Sequence, residues 1–294
     1  MPVHDIQVNS DRKIGLNHPP FIIAEIGNNH NGKMDLAIQL VKAAAAANAD
    51  AIKLQTKNPE TAFRKELLDM PYLNENSFGA TYREHKYAIE LTQDETAELY
   101  TLADSLGLIA FSTPFDVDSV DMLEKIGQPI YKISSFHVTD LKLIEKVCKT
   151  GKPVIMSTGM SSWEEIDKAV EVIRRFTEDF ILMQCTSSYP AGLEDLNLAA
   201  IPAIQERYQC QVGYSGHERG VGVGPGAVLL GAAVIERHFT MDRTLKGPDH
   251  AASLEPRGLD LLVKRSNNYW KALGTPKKEI QESELANRLK FRGY

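Results

Sequence analysis

Along this chain, short runs of apolar, β-favouring residues alternate with longer stretches in which apolar positions recur every three to four residues. The short runs predict eight strands, at 21–27, 51–56, 108–115, 130–136, 153–159, 180–187, 211–215 and 233–240. The longer stretches predict helices at 34–48, 93–106, 117–126, 141–150, 163–176, 198–208 and 258–273, with a short glycine-rich one after Pro225. Thr92 with Glu95, and Ser162 with Glu165, stand at capping-box spacing and mark two helix starts. Eight strand–helix units over about 250 residues predict an α/β fold of the (β/α)8 TIM barrel type. A doubly wound open sheet is the alternative. Ahead of the first strand, "IQVNSDRKIG" predicts a short N-terminal hairpin closing the bottom of the barrel. Residues 57–91 are too many for a plain connection and are expected to form a functional loop over the site. With no repeat, low-complexity tract or linker, 1–294 reads as a single barrel domain.

Composition narrows the function classes. Of 294 residues 43% are hydrophobic and 24% charged, with a net charge of -6, which suits a globular chain and disfavours a nucleic-acid partner. No apolar run is long enough to span a bilayer, and the N-terminus lacks a signal-peptide pattern. Three scattered cysteines, Cys148, Cys185 and Cys210, read as small core residues in a reducing compartment. A cytoplasmic enzyme or binding protein is expected, with no membrane association.

In a barrel, polar residues near the C-terminal ends of the strands face the active site. Side-chain alternation then groups the candidates. Glu25 lies on the first strand, Lys53 and Gln55 on the second, and Lys132 with Ser134 on the fourth, with Ser135 at its end. Ser157 ends the fifth strand, Ser187 and Tyr189 follow the sixth, Ser215 and His217 the seventh, and Glu236 and His238 the eighth. A strand-end serine is ordinarily a turn former, and a single strand histidine ordinarily a satisfied core group. Buried charges, however, need partners, so two lysines, two glutamates and two histidines gathered on one face must complement one another and a ligand. Lys53 and Lys132, with hydroxyls of Ser135, Ser157 and Ser215, suit a small phosphate-bearing anion. His217 and His238 could share a divalent ion, with Glu25, Glu236 and Asp249 ligating it or orienting its waters. Two near-motifs fail: Gly222, Gly224 and Ala227 do not directly follow a strand as a dinucleotide fingerprint would, and "GYSGH" has histidine in place of the last glycine of a nucleophile elbow.

Nine segments, "AEIGNNHNG", "AIKLQT", "FSTPFD", "YKISS", "STGM", "CTSSYP", "YSGH", "ERHFT" and "KGPDH", stand in the order and spacing of the sialic acid synthases, and the chain resembles that N-acetylneuraminate synthase family from about residue 21 to about 272. The resemblance implies a barrel enzyme condensing phosphoenolpyruvate with an open-chain N-acetylmannosamine-type sugar, using Mn2+, or Mg2+ or Co2+ in its place. Acceptors leading to legionaminic or pseudaminic acid are the alternative; a Schiff-base aldolase and a non-catalytic barrel rank below. By resemblance, Lys53, Thr113, Lys132, Ser135, Ser157 and Ser215 hold phosphoenolpyruvate. Gln55, Tyr189 and Asp249 face the sugar with Glu25, and His217 and His238 bind the metal. Glu25 relays a proton, and Glu236 helps activate water. The pattern departs at Ser187, where some members carry asparagine and a longer contact to phosphoenolpyruvate, and at Gly216, where some carry aspartate. Typical members also continue into a C-terminal antifreeze-like domain whose arginine reaches a partner's sugar site, whereas this sequence ends at Tyr294, so no such domain is expected. The 57–91 segment, with Tyr82 as an aromatic wall and Arg83 as a donor, and the basic tail "NRLKFRGY" are the expected substitutes. A homodimer is the assembly allowed for.

Overall fold

Side-chain alternation in eight parallel strands decides what lies inside and outside the ring. The computed structural model describes residues 3–294. An antiparallel pair, β1 (Ile6–Gln7) and β2 (Lys13–Ile14), comes first. The parallel strands are β3 (Phe21–Gly27), β4 (Ala51–Thr56), β5 (Ile109–Pro114), β6 (Tyr131–Ile133), β7 (Val154–Ser157), β8 (Phe180–Cys185), β9 (Gln211–Gly216) and β10 (Ala232–His238). They pair in the order β5-β4-β3-β10-β9-β8-β7-β6, and β6 lies against β5 at the seam, so the sheet curls into a nearly closed barrel.

The connections carry α1 (Met34–Ala46), then three short helices, α2 (Pro59–Ala62), α3 (Lys65–Leu68) and α4 (Tyr82–Ala88), then α5 (Gln93–Ser105). Beyond them come α6 (Val117–Ile126), α7 (Leu141–Cys148), α8 (Trp163–Arg174), α9 (Ala200–Tyr208), α10 (Gly224–Leu229), α11 (Pro256–Leu273) and α12 (Leu285–Arg292). The predicted capping boxes start α5 and α8, and a third, Thr81 with Glu84, starts α4. Each satisfies amide groups that a helix start leaves without intrahelical partners.

Two layers of apolar packing follow from the alternation. Outward residues such as Ile22, Ala24, Ile52, Met156, Leu182 and Ile235 pack under helix residues including Leu40, Leu99 and Leu262. Inward residues at the N-terminal end, Phe21, Ile23, Phe111, Ile130, Ile155, Ile181, Met183 and Val234, fill the barrel, and Ile6, Val8 and Ile14 of the hairpin segment plug it from below, as predicted. Full burial of each such side chain stabilises the fold by about 1.5–3 kcal/mol. Among the described residues no helix is long and apolar enough to cross a membrane.

Three local differences from the sequence reading have causes. The fourth strand of the barrel is short, because Ser134 Oγ pairs with His137 Nδ1 at 2.7 Å and the chain turns into a 3-10 helix at Ser135–His137. The 57–91 segment is not irregular throughout, since it contains α2, α3 and α4. The basic tail forms α12, whose Leu285, Leu289 and Phe291 are exposed.

Candidate active site

Two residues beyond the apolar plug, the inward positions change character. Parallel register sets Glu25 opposite Lys53 on β4 and opposite His238 on β10, and Ser215 opposite Glu236 and Cys185. Of the sequence candidates, Glu25, Lys53, Gln55, Thr113, Lys132, Ser134, Ser135, Ser157, Tyr189, Ser215, His217, Glu236 and His238 line one cavity at the C-terminal mouth. Ser187 and Asp249 do not line it. Ser187 Oγ sits against Gly159, while Asp249 stands just before the 3-10 helix at His250–Ala252 in the loop after β10, and its charge acts on His238 and Tyr189. Gly27 ends β3 with φ of +54°, and a Cβ there would come within 3.1 Å of Glu25 Oε1 and 3.2 Å of Gln55 Nε2. Glycine alone fits both the turn and the close approach.

The cavity floor is a four-charge cluster. Lys53 Nζ lies 2.7 Å from Glu25 Oε2 and 3.6 Å from Glu236 Oε1, and donates to Thr113 Oγ1 at 2.8 Å. Lys132 Nζ donates to Ser157 Oγ at 2.6 Å and stands 3.8 Å from Glu236 Oε1. The environments drive like groups apart. Burial raises Glu25 above the usual carboxylate range despite Lys53, with Glu236 adding to the rise. Burial would raise Glu236 too, but Lys132, Lys53 and the two imidazoles outweigh it and hold it low. Burial lowers Lys132, whereas at Lys53 the two glutamates overcome burial and raise it. Two carboxylates pushed in opposite directions are the arrangement that divides acid from base.

The imidazoles face each other across the mouth with ring centroids 5.5 Å apart, and Tyr189 packs against both. His217 Nδ1 lies 2.8 Å from the Thr186 carbonyl, which can only accept, so that nitrogen is a donor and Nε2 is the one left to face a ligand. Burial pushes His238 down to about 4, leaving it neutral at ordinary pH, and its Nδ1 is buried without a partner. Against its burial, Cys185 and the Thr186 carbonyl raise His217, so the two rings differ in basicity. One oriented by a carbonyl and one with a buried nitrogen unsatisfied, they are the two imidazoles that could hold a divalent ion. Among the described residues no group of three His, Cys, Asp or Glu surrounds a common point, so such an ion would keep open positions.

Behind this face, on the helix side, Arg237 and Glu218 form a fully buried pair at 2.6 Å. Glu218 also accepts from Tyr214 Oη at 2.8 Å, and Arg237 Nη1 donates to the Gly220 carbonyl at 2.9 Å. Ala191 N donates to the His217 carbonyl at 3.1 Å, so the Tyr189 loop is fastened to the same strand end.

Three lining residues were not singled out from the sequence: Phe115, Phe136 and Cys185. Cys185 is buried as expected of a core thiol, yet its Sγ stands 4.0 Å from His217 Nδ1. The inward parity of Ile181, Met183 and Cys185 was the available signal.

The 57–91 segment corrects another expectation. Arg83 is held by Glu60 and by Asp69, the latter at 2.8 Å, and Tyr82 packs edge-on to Phe63 and Tyr72; neither lines the cavity. The basic tail does not line it either. The segment reaches the site through a different route. Lys57 Nζ donates to Asn28 Oδ1 at 3.1 Å, Asn28 Nδ2 to Gln55 Oε1 at 3.0 Å, and Gln55 Nε2 to Glu25 Oε1 at 3.1 Å. Asn76 Oδ1 accepts from Gly247 N at 3.1 Å, which ties the segment to the loop after β10.

The sequence profile of the NeuB family matches residues 40–278. The chain is 37% identical over 287 residues to the N-acetylneuraminate-9-phosphate synthase of Homo sapiens, covering 97% of this chain and 80% of that protein. It is 37% identical over 270 residues to the N,N'-diacetyllegionaminic acid synthase of Campylobacter jejuni, covering 90% and 81%. The crystal structure of N-acetylneuraminic acid synthetase from Leptospira borgpetersenii, in complex with citrate, superposes with a TM-score of 0.86 at 36% identity over 99% of both chains. A profile spanning most of the barrel, together with relatives of this identity along nearly the whole chain, makes the protein an enzyme that belongs to the NeuB family.

Proposed function

We propose that this enzyme condenses phosphoenolpyruvate with the open-chain form of an N-acetylmannosamine-type sugar, giving a nine-carbon 2-keto acid and phosphate. One observation carries the reading: a cradle of two lysines and several hydroxyls shares a cavity with two facing imidazoles and two oppositely poised carboxylates. Lys53 and Lys132, with Thr113, Ser135, Ser157 and Ser215, would hold the phosphate and carboxylate of phosphoenolpyruvate, and Ser187 would border them. Gln55, Tyr189 and Asp249 would position the sugar. Mn2+ on His217 and His238, or Mg2+ or Co2+ in its place, would supply Lewis-acid polarisation of the sugar's aldehyde oxygen.

As C3 of phosphoenolpyruvate bonds to the aldehyde carbon, the aldehyde oxygen takes up a proton by way of Glu25, whose carboxyl burial shifts toward holding one. The cation left at C2 takes up water, whose proton passes to the Glu236 carboxylate. The resulting tetrahedral centre expels phosphate by C–O cleavage and becomes the keto group. Holding both reactants beside fixed charges supplies much of the acceleration. The Campylobacter relative's name keeps a legionaminic-type acceptor in play. The lowered Lys132 favours one second reading, a Schiff-base aldolase, because a depressed amine is a better nucleophile.

The test is consumption of phosphoenolpyruvate against a panel of N-acyl hexosamines and deoxysugars, with Mn2+ or with chelator. Mn2+-dependent phosphate release with one acceptor is expected. His238→Ala should lower turnover at least ~1000-fold while the chain stays folded, since its ring makes no hydrogen bond to the protein through Nδ1. A borohydride-trapped pyruvate adduct on Lys132, or no phosphate release with any sugar, would overturn the reading.

A further inference from the structure

Sheet pairing between β9 and β10 stops at Arg237 opposite Gly216, one residue short of both imidazoles. The ladder therefore aligns the strands without joining His217 to His238. On the helix side the link continues through Arg237. Its Nη1 faces Glu218 Oε1 at 2.6 Å and donates to the Gly220 carbonyl at 2.9 Å, and its Nη2 donates to the Glu218 carbonyl. Glu218 Oε2 accepts from Tyr214 Oη at 2.8 Å, which closes a triangle between β9, the turn after it and β10. All three side chains are buried, and neither Glu218 nor Arg237 lines the cavity. His238 depends most on such a link. Its Nδ1 has no hydrogen-bond partner among the described residues, so the aim of the ring follows its backbone, and the residue before it is Arg237. His217 has in addition its own bond to the Thr186 carbonyl.

Gly216 shows how closely the triangle is built. Its φ is not in the left-handed region, so this glycine answers to space rather than to backbone conformation. A Cβ there would stand 2.5 Å from Glu218 Oε2, 2.6 Å from Tyr214 Cε1 and 3.0 Å from Arg237 Cδ. A side chain at 216 thus points into the volume that the Glu218 carboxylate fills. A buried guanidinium requires a carboxylate beside it. Glycine at 216 with glutamate at 218 meets that requirement, and aspartate at 216 with a small residue at 218 would meet it from the other position. Resting on the condensation and its divalent ion as read above, we propose that Glu218 and Arg237 are positioning residues: they fix the separation of His217 and His238, and through it the affinity of the two rings for the ion. What the position demands is the carboxylate, whichever of the two residues supplies it.

The experiment titrates Mn2+ alone into the full chain, following the free ion by electron paramagnetic resonance, and measures kcat and the phosphoenolpyruvate KM beside it. Glu218→Gln, which keeps the shape and removes the charge, should weaken Mn2+ binding about 10-fold or more and lower kcat, with the phosphoenolpyruvate KM within about twofold of the unsubstituted chain. Phe111→Ala, a packing loss at the other end of the barrel, should leave the Mn2+ affinity unchanged, which separates positioning from a general loss of stability. Gly216→Asp combined with Glu218→Ala should restore the affinity to within about threefold, whereas Glu218→Ala alone should not. That pair of variants decides the matter where Glu218→Gln does not fold. Full Mn2+ affinity in a folded Glu218→Gln chain, or no recovery in the double variant, folded or not, overturns the positioning role and leaves the condensation standing. No Mn2+ binding by the unsubstituted chain overturns the metal reading, and the positioning role with it.

Discussion

The two halves of the barrel interior are built on the same strands, two residues apart, and share almost nothing chemically. At the N-terminal end Ile23, Phe111, Ile155 and Val234 close a dry core with the hairpin segment below. One inward position further along, Glu25, Thr113, Ser157 and Glu236 stand in a cavity with two lysines and two imidazoles. The lower half contributes stability through packing that tolerates no gap. The upper half keeps desolvated charges, which cost stability unless they are paired, and so marks where function is being maintained. The comparison teaches that fold and site can be separated along one strand, by a single step of its two-residue period.

The largest expected effect breaks the lower half alone. Phe111→Ala removes a fully buried ring and should cost about 3–5 kcal/mol in denaturant unfolding, while kcat/KM of the folded fraction is unchanged. An intact stability with a tenfold activity loss would show that the halves are not separable. Next, Glu25→Gln should lower kcat about 100-fold or more with little change in stability, because Glu236 still faces Lys53 at 3.6 Å. Normal turnover with a lost transition would make Glu25 only a structural partner of Lys53. The smallest effect concerns pH. Burial, then Lys57, pushes His30 from an ordinary 6.5 down to about 3, and its Nδ1 accepts from Gly32 N at 3.1 Å. Between those values the unfolded chain binds the extra proton, so the stability His30 contributes is complete above 6.5 and is lost as pH falls through that window. Over the first pH unit below 6.5 the loss should be at most about 1.4 kcal/mol. His30→Asn, which keeps an acceptor for that amide, should flatten this part of the profile; an unchanged slope would place the acid sensitivity elsewhere.

The barrel was legible because burial on both faces writes apolar runs bounded by turns, and the strand-end polar groups were legible because parity assigns them a side. What escaped has equally physical reasons. Helices α2 and α3 span four residues each, too few for a helical period to register. Arg83 looked free because its partners, Glu60 and Asp69, are 23 and 14 residues away in sequence and meet it only through the fold. Cys185 was hidden by its chemistry, since a buried thiol reads as core whichever wall it occupies. Phe136 was obscured by the early end of β6, where the contact of Ser134 with His137 turns the chain.

The Arg237–Glu218 pair on the outer side of the barrel has a bearing on rate as well as on shape. Arg237 sits between Glu236 and His238 in sequence, and Glu218 follows His217, so one ion pair clamps both stretches of backbone that carry the imidazoles. Groups held this way need not be gathered anew at each turnover. The work of arranging them is done once, as the chain folds, and the reorganisation that water would demand at the moment of reaction is avoided. Loops above the mouth can therefore vary while the spacing of these two side chains stays the same.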